Sequence, residues 1–163
     1  INRNWRTRTM KRLKSSKGFT LMEMLIVVAI IAVLVAIAIP TFTTSLNKAR
    51  VATDEANIRS GYAAAMARVL TEQITTEGLV NPGLPDDETY YLLPDGTVKT
   101  MDELGGDKTN VYKTKGTLND ADGVTIAGYK FLQWKKGAEV TYSFTGRDNK
   151  VTISVDGTSG STG

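Results

Sequence analysis

Seventeen carboxylates and twenty Lys and Arg side chains are the reactive inventory of this 163-residue chain, which has no cysteine and no histidine. Without histidine the commonest general base and the commonest zinc ligand are missing. Without cysteine there is no thiolate nucleophile, no thiolate metal site and no disulfide. Metalloprotease, Ser-His-Asp hydrolase and zinc-finger chemistries are therefore excluded by composition. What remains is acid, base and hydroxyl, and three groups of these could carry chemistry. Asp120-Ala-Asp122-Gly123 looks like the opening of a calcium loop, but the further ligands at the proper spacing are absent, and a turn explains the pair equally well. Asp86-Asp87-Glu88 reads as a solvated acidic loop. Lys113, Lys115, Lys130, Lys135 and Lys136 lie near Tyr112, Tyr129 and Trp134, a mixture that can bind single-stranded nucleic acid. Lysines that keep sheet edges from stray pairing account for the same cluster. No phosphate loop, catalytic dyad or repeat is present, and neither a cofactor nor a metal is expected.

The fourth feature is one acid, Glu23. Residues 24–39 are sixteen consecutive apolar residues, and from Phe19 to Ile39 only Thr20 and Glu23 interrupt the run. A helix crosses a bilayer core with about 20 apolar residues, so 19–40 can span only with Glu23 included. A carboxylate there costs about 2.5–3.5 kcal/mol or more, which makes it a functional candidate whose partner must be named. No Lys or Arg of its own run is available. A chain terminus, a lipid headgroup or another chain is then the expected partner.

Charge orients this segment. Seven of the 20 basic residues lie in 1–18, which has no acid, leaving 13 basic against 17 acidic residues beyond it. The alkaline pI belongs to the leader, and the mildly acidic remainder gives little support to nucleic acid as a partner. Basic residues stay inside, so 1–18 face the cytoplasm and the chain after Pro40 is exported. A cleaved secretory signal peptide would also show a basic start and an apolar run, and Ala36-Ile37-Ala38 would suit its peptidase. It gains nothing, however, from Glu23. A plain single-pass anchor is the other alternative.

Lys17-Gly18-Phe19-Thr20-Leu21-Met22-Glu23, followed by the apolar run and Pro40, resembles the N-terminal signature of type IV pilins, pseudopilins and competence pilins. The likeness covers about residues 11–50. It implies cleavage between Gly18 and Phe19 by a membrane-embedded prepilin peptidase, and methylation of the new Phe19 amine. It implies that Glu23 directs subunit assembly by neutralising a neighbour's terminal amine, and that Pro40 kinks the helix by removing a donor and crowding the Ala36 carbonyl. The implied partners are other pilin subunits, the assembly platform with its ATPase, and the bilayer before assembly. The implied localisation is the cytoplasmic membrane, then a surface filament. If Met10 is the start, the leader is Met-Lys-Arg-Leu-Lys-Ser-Ser-Lys-Gly, as in many pilins. Two departures stand out. The span has no glycine before Pro40, and the absent cysteines fit the pilins of Gram-positive bacteria better than members closed by a disulfide.

The elements that must carry these residues follow from periodicity. Val51, Ile58, Tyr62, Ala65, Met66, Val69 and Ile74 recur at helical steps through 41–77, with Asp54, Asn57, Arg68 and Glu72 on other faces. Gly78, Pro82 and Pro85 signal the end of that helix. A hairpin from 89–93 to 97–100 turns through Pro94-Asp95-Gly96. A meander of strands at 128–134, 138–145 and 150–155 follows, turning at 135–137 and 146–149. The expected fold is α+β, a long N-terminal helix packed on a C-terminal antiparallel sheet. Its segments are a leader at 1–18, an assembly helix at 19–40, an exported helix at 41–77, a head at 78–155 and a flexible tail at 156–163. The expected function is structural and not enzymatic, a pilus subunit serving adhesion, motility or DNA uptake. A pseudopilin of a secretion or competence machine and an anchored adhesin or sensor are the alternatives. The chain lacks the Asn-Gly-x-Tyr-Pro-type segment associated with major pseudopilins.

Overall fold

A computed structural model describes residues 18–73, 87–145 and 150–162. Leader residues 1–17, the expected helix end at 74–77, the loop through Asp86 and the turn at 146–149 lie outside them. Among the described residues one helix, α1 (Leu21–Gln73), precedes eight strands, as the α+β expectation requires. The chain divides into two compact units, 1–41 and 42–163.

In the first unit, residues 21–41 are helix. Every described side chain from Gly18 to Thr41 is exposed, including Leu25, Ile30, Leu34 and Ile37. An 18-residue window of α1 reaches a mean hydropathy of 3.0, long and apolar enough to cross a membrane. An isolated helix can expose such a surface because its backbone donors and acceptors are satisfied within it.

The second unit is built on the rest of α1. Asp54, Ile58, Gly61, Ala65 and Val69 are buried at steps of four and three, one continuous seam. Ile58, Ala65 and Val69 were expected there. Val51, Tyr62 and Met66 flank the seam half-buried, and Ile74 falls outside the described residues. Asp54 departs most from expectation, since a charged residue reads as solvent-facing and this one is 0 % exposed.

Its burial is possible because every side of the carboxylate is met. The Tyr112 hydroxyl donates to Oδ1 at 2.6 Å, the Lys115 amide reaches both oxygens at 2.9 and 3.0 Å, and the Gly116 amide donates to Oδ2 at 2.8 Å. Asn57 Nδ2 donates in turn to the Tyr112 oxygen at 2.9 Å. Burial, reinforced by the Asp54 bond, pushes the Tyr112 hydroxyl up to about 12. Two turns earlier Asn47 pairs with the Thr117 backbone in both directions, at 2.8 and 2.9 Å. The segment 112–117 is thus bolted along two turns of α1. Gly116 suits this approach, because a Cβ there would lie 2.7 Å from the Val51 amide nitrogen.

The strands form two antiparallel sheets. β1 (Asp87–Leu92), β2 (Val98–Thr100), β5 (Val140–Thr145), β6 (Lys150–Val155) and β7 (Thr158–Ser159) are ordered β2-β1-β5-β6-β7. β3 (Leu118–Ile126), β4 (Tyr129–Trp134) and β8 (Ser161–Thr162) are ordered β3-β4-β8. The hairpin through Pro94-Asp95-Gly96 is present, with Leu92 opposite Val98. The meander is not. β4 pairs with β3 and β8, while β5 pairs with β1 and β6. Thr114 explains the divergence. Its hydroxyl donates to the Lys135 carbonyl at 2.6 Å, its amide to the Ala138 carbonyl at 3.0 Å, and its carbonyl accepts from Gly137 at 2.8 Å. The turn after β4 is therefore held by Thr114, and the chain crosses from one sheet to the other.

β3 was not expected at all. Its polar sequence is interrupted by a bulge between Asn119 and Val124, which contains Asp120, Asp122 and Gly123. Gly123 adopts a φ of +65°, and a Cβ there would lie 2.5 Å from the Phe131 carbonyl oxygen, so the bulge needs glycine. The 156–163 segment, expected as a flexible tail, instead carries β7 and β8. Asp156 and Gly157 turn at φ +55° and +75°, the signs a tight hairpin requires. Gly160 then crosses between the sheets where a Cβ would meet Phe131 and Tyr129. Small polar residues read as disorder, yet here they are what a close backbone crossing demands.

The core joins α1 to both sheets through Tyr90, Leu92, Ile126, Phe131, Tyr142 and Ile153. Tyr142 donates to the Ile58 carbonyl at 2.8 Å, beside Gly61. A Cβ at 61 would strike that hydroxyl and come within 2.6 Å of Leu92 Cδ1. Arg68 caps the far side, donating to the Val98 carbonyl at 3.0 Å, pairing with Glu103 and lying 5.4 Å over the Tyr90 ring. The Arg68 bond pulls the partly exposed Glu103 carboxyl down to about 2.

Two substitutions test the seam by thermal unfolding of the full chain in detergent. Asp54→Ala strands a buried hydroxyl and two amides, and is expected to cost about 3 kcal/mol or more. Gly61→Ala is expected to destabilise by about 1–3 kcal/mol through overpacking, although alanine is the better helix former. A gain in stability at position 61 would show that the helix does not press on Tyr142.

Candidate assembly helix and its N-terminal junction

Gly18 and Phe19 precede the helix and are exposed, Phe19 by 80 %. A Cβ added to Gly18 would meet nothing within 4 Å, and Gly18 is not among the glycines with positive φ. The fold itself therefore does not call for glycine at this position.

Thr20 closes the end of α1. Its carbonyl accepts from the Met24 amide at 3.2 Å, the first intrahelical bond, which makes Thr20 the N-cap. Its hydroxyl accepts from the Glu23 amide at 3.2 Å. Glu23 Oε2 reaches back to the Thr20 amide at 2.8 Å and the Thr20 hydroxyl at 2.9 Å. This reciprocal pair is a capping box, in which two amides without helical partners are satisfied at once. Glu23 also sits in the first turn, where the helix dipole favours negative charge.

Thr20 thus gives Glu23 two donors from its own first turn, a partner that the expectation of a terminus, a headgroup or another chain did not include. The signal lay in the sequence as Thr20-x-x-Glu23. Of the other expected residues, Pro40 lies inside α1, and the helix is continuous through it. The Thr41 hydroxyl donates to the Ile37 carbonyl at 3.2 Å, so the turn around the proline keeps a side-chain bond. Asp120 and Asp122 belong to the β3 bulge of the second unit, where the Asp122 amide donates to Asp120 Oδ1 at 3.0 Å. Among the described residues no group of three or more metal-ligating side chains is gathered. The nucleic-acid cluster loses its stacking surface, since Tyr112, Tyr129 and Trp134 are each at most 4 % exposed. Its five lysines remain exposed.

A family model described as "Prokaryotic N-terminal methylation motif" matches residues 13–39, the junction and apolar run just described. The likeness extends into the second unit. A "Fimbrial protein" of Pseudomonas aeruginosa is 32 % identical over 124 residues, covering 71 % of this chain and 77 % of that protein. The chain belongs to the type IV pilin family. A "Fimbrial protein" of Dichelobacter nodosus is also 32 % identical, over 71 % of this pilin and 78 % of its own length. The "Type IV narrow pilus major component PilA5" of Thermus thermophilus is 41 % identical over 84 residues, half of this pilin and 62 % of that protein. No solved structure gives a significant match. This pilin is accordingly a structural subunit of a type IV pilus, assembling with other pilin subunits. Its exposed helix with the methylation motif fits membrane anchoring and a surface filament.

The capping box makes a local prediction. Thr20→Val keeps the side-chain shape but removes the hydroxyl, weakening the first turn by about 0.5–2 kcal/mol. In micelles the amides of residues 21–24 should exchange with solvent roughly 2- to 30-fold faster, while those beyond Asp54 are unchanged. Equal exchange in both proteins would mean the box does not hold the turn.

Proposed function

We propose that this pilin is made as a precursor, cut between Gly18 and Phe19 by a prepilin peptidase at the cytoplasmic face, and methylated on the Phe19 amine. The observation that carries the reading is the exposed, non-helical Gly18 whose missing side chain the fold does not need. A glycine required by nothing among the described residues is explained by something outside them, a protease cleft that closes on the backbone. The capping box supports the same reading, because it starts the helix at Leu21 and keeps residues 18 and 19 off the helical ladder.

Cutting there places a new ammonium four residues before Glu23. A carboxylate accepts at about four lone-pair positions, so the two bonds from Thr20 leave capacity for that cation or for the corresponding amine of a neighbouring subunit. The pair is tolerable in low dielectric where a single charge is not. Glu23 then sets register while the apolar faces supply packing. The subunit waits in the cytoplasmic membrane with its leader inside, and an ATPase-driven platform moves it into a surface filament.

Intact mass of the protein from its own membrane should correspond to loss of residues 1–18 plus one methyl. Gly18→Leu should accumulate uncut precursor with an unchanged thermal midpoint of the second unit. Glu23→Gln, expressed without wild type, should still be cut while sheared surface filaments fall at least about tenfold. Normal filaments would sink the charge-pairing account. Uncut Glu23→Gln would instead make Glu23 part of the peptidase's recognition.

A further inference from the structure

Two distant stretches of the head bring four lysines to one place. Burial alternates along 112–117, so Lys113 and Lys115 are exposed on either side of the buried Thr114. Thr114 is bonded to the Lys135 and Ala138 carbonyls and to the Gly137 amide, which sets the exposed Lys135 and Lys136 beside them. Among the described residues few acids answer this charge. Asp54 is enclosed by its own donors, Glu139 is paired with Lys108 at 3.5 Å, and Asp156 shares a cleft with Lys135. Like charges held on a rigid turn repel, so such a patch is most stable against an anionic partner.

The rest of this pilin beyond residue 18 is that kind of surface. With the four lysines set aside, residues 19–163 carry nine basic against 17 acidic residues. Asp102 and Asp107 are exposed on one loop, where Asp107 is fixed by the Thr109 amide at 2.8 Å. The loop is tied to α1 at Arg68 through Glu103, whereas the lysine patch is tied to α1 at Asp54 through the Lys115 amide. Those two helix positions lie about 21 Å apart at 1.5 Å per residue. Patch and loop of one head therefore do not neutralise each other.

We propose that the lysine patch is a docking surface for a second copy of this pilin, which presents its Asp102–Asp107 loop. A contact between two different patches is heterologous, and repeated without closure it builds a helical filament. Single exposed ion pairs are weak, so the contact sets the orientation of neighbouring heads more than it supplies affinity. A nucleic acid fits less well, because a long polyanion would also run along the acidic remainder of the head. The inference rests on assembly with other subunits, and not on cleavage at Gly18 or on Glu23.

Charge swapping in cells that make the filament tests the contact. Lys135→Glu with Lys136→Glu should lower sheared surface filaments about tenfold or more, with the intact mass shifted only by the substitutions and an unchanged thermal midpoint. Asp102→Lys with Asp107→Lys should do the same, and the four changes together should restore the filaments. Asp102→Lys alone serves if the Asp107 change lowers the midpoint. The chain has no cysteine, so Lys136→Cys with Asp102→Cys gives a second reading. A short bismaleimide should link subunits of sheared filaments into a ladder of multimers, while detergent-dispersed subunits and each single variant stay monomeric. The proposal is overturned if the lysine reversal leaves filaments intact, if the combined reversal fails to restore them, or if no ladder forms. Uncut precursor in the lysine variant would overturn it by placing these residues in processing. Intact filaments that no longer retain duplex DNA would assign the patch to nucleic acid instead.

Discussion

The head of this pilin depends on one buried carboxylate. Asp54 sits in the seam of α1, and its two oxygens accept from the Tyr112 hydroxyl and from the Lys115 and Gly116 amides. Segment 112–117 leads directly into β3 and contains Thr114, which holds the turn from β4 to β5. A carboxylate on the helix thereby fixes the position from which both sheets are laid out. The cost of removing that charge from water is met by hydrogen bonds to charge, which are stronger than neutral ones. With no cysteine available, this polar bolt stands where a covalent staple could otherwise sit.

Polar bonds also decide the other end of α1. There the requirement is reversed, since the side chains of 18–41 have no interior to enter and the helix must be complete within itself. The Thr20–Glu23 box satisfies its first amides. Two acids of the one helix, Asp54 and Glu23, thus have opposite settings, the first held by a distant loop inside a core and the second by its own first turn.

Much of this was legible from the residue pattern. The unbroken apolar run, the basic leader and the Gly18-Phe19 junction pointed to the assembly helix, and alternating β-formers marked β1, β5 and β6. The failures share a cause, which is that backbone needs override side-chain character. Asp54 reads as solvent-facing because the amides that satisfy it lie about 60 residues away. β3 is hidden by Asp120, Asp122 and Gly123, residues of a bulge that interrupts its pairing with β4. β7 and β8 contribute backbone and little else. The split into two sheets turns on Thr114, a residue with no periodic signature. Thr20 reads only as an interruption in an apolar run until its spacing to Glu23 is noticed.

The long reach of these contacts has a kinetic meaning. Asp54 meets Tyr112 across 58 residues, and Tyr142 meets Ile58 across 84. β1 pairs with β5 rather than with a close successor on that side. Closing such loops costs entropy before any burial is gained, so chains of high contact order fold slowly. The β1–β2, β3–β4 and β5–β6 hairpins are the local exceptions and natural early nuclei. The helix seam can find its sheet only after the chain has been made through Thr145. Until then the apolar strands are exposed together, and the time between synthesis and closure is the head's period of greatest vulnerability to aggregation.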